Sequence, residues 1–153
     1  MHWLELKVPP LLLWLLFVAA MFGLARALPA LSLSVPGAST IAVVFAVAGA
    51  ALAFSGVVAF RRERTTVNPL TPNESSVVVS QGVYRFSRNP MYLGFLIALT
   101  GWGVYLSNVA SALLLPVFVA YMNRYQIKPE ERALLAKFGQ EYAQYMSRVR
   151  RWI

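Results

Sequence analysis

MYLGFLIALTGWGVYLSNVASALLLPVFVAYM, residues 91–122, is 32 residues long and carries no charged side chain. One helix of that length overshoots the roughly 30 Å of bilayer hydrocarbon, at about 1.5 Å of rise per residue. Two helices of about 15 residues fit better. Ser107, Asn108 and Ser111 supply turn chemistry between them, so the stretch is expected to be a hairpin of spans 91–106 and 109–124. Upstream, Val8 to Leu28 is apolar apart from Arg26, and Thr40 to Phe60 has no charge. Both reach the roughly 20 residues that cross hydrocarbon. The expectation is an all-α integral membrane protein with about four transmembrane helices, at 8–28, 40–60, 91–106 and 109–124. The whole chain, 1–153, forms one domain. The first run is not read as a cleavable signal, because it is too long and Glu5 precedes it.

Composition agrees: 58% of the 153 residues are hydrophobic and 13% are charged, against about 25% charged in soluble domains. There is no cysteine, and the single histidine is His2. This excludes disulfides, a cysteine nucleophile and a histidine metal cluster, so no metal is expected. The formal net charge is +8, but its placement argues for topology and anionic-lipid contact rather than for nucleic acid. Of the 14 Lys and Arg residues, all but Arg26 flank the spans on one side. Basic loops stay in the cytoplasm, so a multi-pass protein with both termini cytoplasmic is expected.

Two segments then lie in the cytoplasm. Residues 61–90 hold turn-forming clusters, Thr65-Thr66-Val67-Asn68-Pro69 and Pro72-Asn73-Glu74, followed by a short extended Ser76-Val77-Val78-Val79. Residues 128–153 start with Pro129 at a position suited to a first helical turn. There Leu134, Leu135, Phe138, Tyr142, Tyr145, Met146 and Val149 recur at spacings of three and four. That periodicity predicts an amphipathic helix lying on the membrane or over the mouth of the bundle.

Two polar clusters are candidates for chemistry: Tyr84 to Gly94 around Arg88, and Glu130-Glu131. The topology puts both at one membrane–water boundary, where they can line one pocket. Each also has a plainer reading. Arg85 and Arg88 serve equally as cationic anchors beside an aromatic belt, and the glutamates suit the first turn of a helix. Gly49, Gly56 and Gly101-Trp102-Gly103 read as close helix packing.

The ordered motifs Gly82-Val83-Tyr84, Arg88-Asn89-Pro90-Met91-Tyr92-Leu93-Gly94, Glu130-Glu131 and Phe138-Gly139-Gln140-Glu141-Tyr142-Ala143-Gln144-Tyr145 resemble a known family. It is the integral membrane methyltransferases that include isoprenylcysteine carboxyl methyltransferase and phospholipid N-methyltransferases. The resemblance covers residues 61–152. It implies methyl transfer from S-adenosyl-L-methionine to a lipidic or amphipathic small acceptor at the bilayer. It also implies a cofactor site at Ser76, Val77, Val78, Val79, Tyr84, Arg88, Asn89, Pro90, Met91, Tyr92, Glu130 and Glu131. Among these, Glu130, Tyr92 and Arg88 are expected to act in catalysis. Asn89 stands where many members carry His, and Gln126 where the prenylcysteine enzymes carry Arg. Two other classes remain open: a non-catalytic lipid-binding or assembly protein, and an oxidoreductase similar to sterol reductases. Oligomeric state is left open.

Overall fold

The structure, a computed structural model, describes residues 5–65, 68 and 70–153. His2 and the Thr66, Val67 and Pro69 of the first turn cluster lie outside the described residues. The described chain is helical: α1 (Pro10–Ala27), α2 (Ala38–Arg62), α3 (Pro90–Leu106), α4 (Val109–Ala112), α5 (Leu114–Tyr121), a π-helical segment (Met122–Ile127), α6 (Lys128–Phe138) and α7 (Gln140–Arg148). Short 3-10 turns lie at Pro29–Leu31, Pro72–Glu74 and Gly82–Arg85.

Among the described residues, only α1 and α2 are long and apolar enough to cross a membrane by length and composition; α3 is a shorter apolar helix of 17 residues. Their outward faces carry side chains that water would not favour: Leu11, Leu15, Val43, Val47 and Phe54 are all half exposed or more, Phe54 reaching 67%. Exposed apolar surface of this extent and continuity suits hydrocarbon.

α2 and α3 pack antiparallel at backbone distance. A Cβ placed on Gly49 would stand 2.5 Å from the Gly94 carbonyl oxygen and 2.8 Å from the Ala98 amide nitrogen, and one on Gly101 would meet Phe45 Cβ at 2.6 Å. The glycines read as packing residues thus do pack, and each lets a neighbouring helix approach. α1 lies against α3 through reciprocal indole bonds: Trp14 Nε1 donates to the Phe95 carbonyl (3.0 Å) and Trp102 Nε1 to the Val18 carbonyl (3.1 Å). Phe118 of α5 fills the space between, edge-on to Phe17 at 5.3 Å.

The expected hairpin turn forms at Ser107, which takes a left-handed conformation (φ 47°). Asn108 caps α4 by accepting from the Ser111 amide, and its side-chain amide donates to the Leu28 carbonyl at 2.9 Å. The second arm of the hairpin departs from a span ending at 124. From Leu114 the helix continues through the π segment into α6 without a break. The reason lies in Pro129, which has no amide hydrogen to offer the Tyr125 carbonyl. A π turn absorbs the mismatch, and the Leu6 amide donates to Tyr125 O instead (3.0 Å). The expected helix over 128–153 is likewise corrected. It breaks at Gly139, whose φ of 51° and ψ of −121° only glycine adopts readily, and it ends at Arg148, leaving 149–153 as a non-helical tail.

Gly49→Ala is therefore expected to force α2 from α3 and lower stability by about 1–3 kcal/mol. Gly23→Ala, with nothing within 4 Å of the added methyl, is expected to be neutral or slightly stabilising. Thermal unfolding of the detergent-solubilised variants checks this, and equal behaviour of the two would refute the close-packing account.

Candidate functional site

The polar contacts of the candidate site residues gather at the end of the bundle where α1 begins, α2 ends and α3 begins. Pro90 opens α3, and the residues just before it are held by the far end of the chain. The Arg88 amide donates to the Arg150 carbonyl (3.0 Å), and the Asn89 side-chain amide donates to the Arg151 carbonyl (2.9 Å). The Arg88 guanidinium spans three acceptors: Nη1 donates to the carbonyls of Met146 (2.9 Å) and Val149 (3.0 Å), and Nη2 to Glu131 Oε1 (2.6 Å). Its Nε is buried without a partner.

Glu131 is buried between two arginines. Arg151 grips it from the other side, Nε at 3.0 Å from Oε1 and Nη2 at 2.6 Å from Oε2. A buried carboxylate persists only when paired in this way. Burial by itself would raise its pKa, but the Arg151 hydrogen bonds and the Arg88 charge hold it below the usual carboxylate range. Both of its oxygens are committed.

Glu130, its neighbour on α6, has different surroundings. The Tyr92 hydroxyl of α3 donates a short hydrogen bond to Glu130 Oε1. Burial of the carboxyl pushes its pKa up to about 8; the Tyr92 hydrogen bond opposes that rise and the Glu131 charge adds to it. Adjacent carboxyl groups are thus driven in opposite directions, a pattern typical of acid–base assignments at active sites.

A narrow cleft of about 50 Å³ lies alongside, lined by Ser75, Val77, Val78, Val79, Tyr84, Arg88, Leu134, Tyr142 and Tyr145. The Tyr84 ring stands edge-on to Phe60 at 5.3 Å, and its carbonyl accepts from the Tyr145 hydroxyl at 2.8 Å. Val79 also lines a second cavity, of about 390 Å³, between the last turns of α2 and residues 79–83. Its wall runs from the apolar Phe54 and Val58 to the polar Arg62, Glu63 and Gln81.

The structure brings Val77 to Val79, Tyr84 and Arg88 to one cleft and joins Tyr92 to Glu130. Other site candidates lie elsewhere. Ser76 is exposed, its amide donating to Thr65 Oγ1 (2.8 Å), and Ser75 takes its place in the wall. Met91 packs on Gly56, and Asn89 and Glu131 face the tail. Ser75, Leu134, Tyr142, Tyr145 and Arg151 were not singled out from the sequence as site residues. The tyrosines carried a signal, since they belong to the Phe-Gly-x-x-Tyr-x-x-Tyr motif. Arg151 carried none, reading only as one more cation. Among the described residues there is no cluster of His, Cys, Asp and Glu that could hold a metal ion.

A carboxyl with a folded pKa near 8 and an unfolded one near about 4.3 binds more protons when folded, so its contribution to stability is lost as pH rises across that window. Glu131 behaves oppositely, losing its contribution only as pH falls below the ordinary carboxylate range. Between about pH 5 and 8 Glu130 therefore contributes a stability that falls as pH rises. Glu130→Gln is expected to flatten the melting temperature against pH over that interval, and an unchanged slope would contradict the assignment.

Comparison with known proteins follows the same residues. A family model described as Phospholipid methyltransferase matches residues 38–141, from α2 to the start of α7, which includes Tyr92 and Glu130. An uncharacterized protein of Haemophilus influenzae is 41% identical over 63 residues, 41% of this chain and all of that protein. Protein-S-isoprenylcysteine O-methyltransferase B of Arabidopsis thaliana is 34% identical over 101 residues, 66% of this chain and 51% of its own length. Methanethiol S-methyltransferase 1 of Bradyrhizobium diazoefficiens is 39% identical over 67 residues, 44% of this chain and 22% of its own. The matches thus cover about half or less of these two named enzymes. No solved structure matches the chain significantly. With the family model covering two thirds of the sequence, the chain belongs to the phospholipid methyltransferase family, a family of membrane methyltransferases.

Proposed function

We propose that the protein is an S-adenosylmethionine-dependent methyltransferase working at the membrane on a lipidic or amphipathic small acceptor. The observation that carries this reading is the junction of Tyr92 with Glu130, 38 residues apart in sequence, close to a cleft whose wall includes Tyr84, Arg88, Tyr142 and Tyr145. The cleft's chemistry fits the cofactor. The orphaned Arg88 Nε offers a donor for a carboxylate, and the faces of Tyr84, Tyr142 and Tyr145 suit a sulfonium by cation–π attraction. Its present volume is below the roughly 300 Å³ of common ligand pockets, so residues 75–81 must move off α6 and α7 for a ligand to bind. When bound, S-adenosylmethionine supplies an electrophilic methyl group.

The chain's own residues then do the positioning, from which a large share of rate enhancement can come. Tyr92 holds the Glu130 carboxyl in place. Glu130, with its pKa pushed up to about 8, is mostly protonated at neutral pH, and its ionised form, which grows as pH rises toward 8, is suited to take a proton from an acceptor. Arg88 and Glu131 fix α3 against α6. The cavity shared at Val79, polar at Arg62 and apolar toward Phe54, supports an amphipathic acceptor with its head at the boundary and its tail along α2. We also read α1, α2, α3 and the α4–α5 arm as four crossings, with the cation-rich end and both termini in the cytoplasm.

Calorimetry on the detergent-solubilised protein is expected to show binding of S-adenosylmethionine and S-adenosylhomocysteine but not of NADPH. Tyr92→Phe and Glu130→Gln are expected to slow methyl transfer by roughly 100-fold. Absence of binding by either sulfur compound overturns the reading. A reporter fused after Ile153 should report the cytoplasm, and a signal from the opposite side would invert the topology.

A further inference from the structure

The last five residues do not trail from α7. The carbonyls of Val149, Arg150 and Arg151 accept from the guanidinium of Arg88, the amide of Arg88 and the side chain of Asn89, at 3.0, 3.0 and 2.9 Å. Trp152 Nε1 donates to Asn123 Oδ1 in the π segment at 3.1 Å. The Arg151 side chain closes on both oxygens of Glu131. The tail therefore bonds the residues preceding α3 and, at Asn123 and Glu131, both flanks of the helical stretch that presents Glu130. Tyr92 stands one turn into α3 from the first set of these bonds.

We propose that Arg151 is a positioning residue for methyl transfer: by gripping Glu131 it fixes α6 against the start of α3, sets the meeting of Tyr92 with Glu130, and offsets the Glu131 charge beside Glu130. The inference rests on the methyltransferase reading. Without Arg151, Glu131 keeps only Arg88, whose guanidinium is shared with two carbonyls. A less compensated charge next to Glu130 favours its protonated form. The groups that face Glu130 are Tyr92 from α3, Tyr84 from the 3-10 turn and Tyr142 from α7, with Glu131 on its own helix and Arg88 and Arg151 behind it. Glu74, on the 3-10 turn against α6, receives the Thr71 hydroxyl hydrogen bond. Burial raises Tyr84 and Tyr142 above the usual phenol range, so neither ionises where Glu130 does.

The test uses the full chain and compares wild type with Arg151→Met, Arg151→Lys and Trp152→Phe. Methyl transfer is followed against pH, and the melting temperature of the ligand-free protein is measured over the same range. Arg151→Met is expected to lower kcat by roughly tenfold to a hundredfold with little change in cofactor KM. It should also move the pH limb set by Glu130 upward by roughly half a unit, with a matching shift in the ligand-free thermal curve. Arg151→Lys should restore most of the limb. Trp152→Phe loosens the same tail without altering charge, and should lower the melting temperature while leaving the limb in place. An Arg151→Met limb coincident with wild type, or an equal shift in Trp152→Phe, overturns the proposal. A wild type that transfers no methyl group overturns the methyltransferase reading and the positioning role with it, while the ligand-free curves still show whether Arg151 governs the Glu130 proton.

Discussion

A carboxylate cannot stay buried in this molecule unless cations meet it, and Glu131 is where that constraint falls. Arg88 and Arg151 satisfy it from opposite directions, at 2.6 Å each. One arginine precedes α3 and the other lies in the tail, so pairing the charge also joins the start of the hairpin to the end of the chain. Removing one partner of such a buried set typically costs about 3–5 kcal/mol, because the remaining charge is stranded. The Tyr92–Glu130 contact follows from this clamp, since α6 is held in register by the residue next to Glu130.

A second clamp works from the amino terminus. Pro129 frees the Tyr125 carbonyl, which the Leu6 amide captures. One residue on, Gln126 is fully buried and donates to the Val8 carbonyl at 2.6 Å, while the Glu5 carboxylate bridges Arg124 and Arg132. In this chain, then, the side chain at the position where prenylcysteine enzymes carry Arg is spent on holding the N-terminal segment. The helix before Glu130 is thus tied on one side by residues 5–8 and on the other by the tail. Beyond these clamps, close glycine contacts hold α2 against α3.

The sequence was legible wherever composition and spacing carry the physics. Apolar runs gave the helices at 10–27, 38–62 and 90–106 to within a few residues, because hydrocarbon-facing length is a one-dimensional property. Ser107-Asn108 gave the hairpin turn because its side chains act locally. The resemblance carried by the Arg-Asn-Pro-x-Tyr and Glu-Glu motifs pointed to the residues that meet as Tyr92 and Glu130. Less legible were the π segment, whose cause is a single missing amide hydrogen at Pro129, and the break at Gly139, which periodicity passes over because the apolar face continues on both sides of it.

By itself the sequence determined the helical class, the apolar surface, the one-sided charge and the set of polar residues available for chemistry, since each depends on which side chains are present and how they are spaced. Only the tertiary structure decided how those polar residues divide the work. It committed Glu131 to two arginines and left Glu130 to Tyr92; it put Ser75 rather than Ser76 in the cleft wall; and it brought Arg151 onto Glu131. The reason is that a hydrogen bond between residues 20 or 43 positions apart depends on the direction each side chain takes from a packed backbone, and direction is fixed only when the helices and the tail have come together.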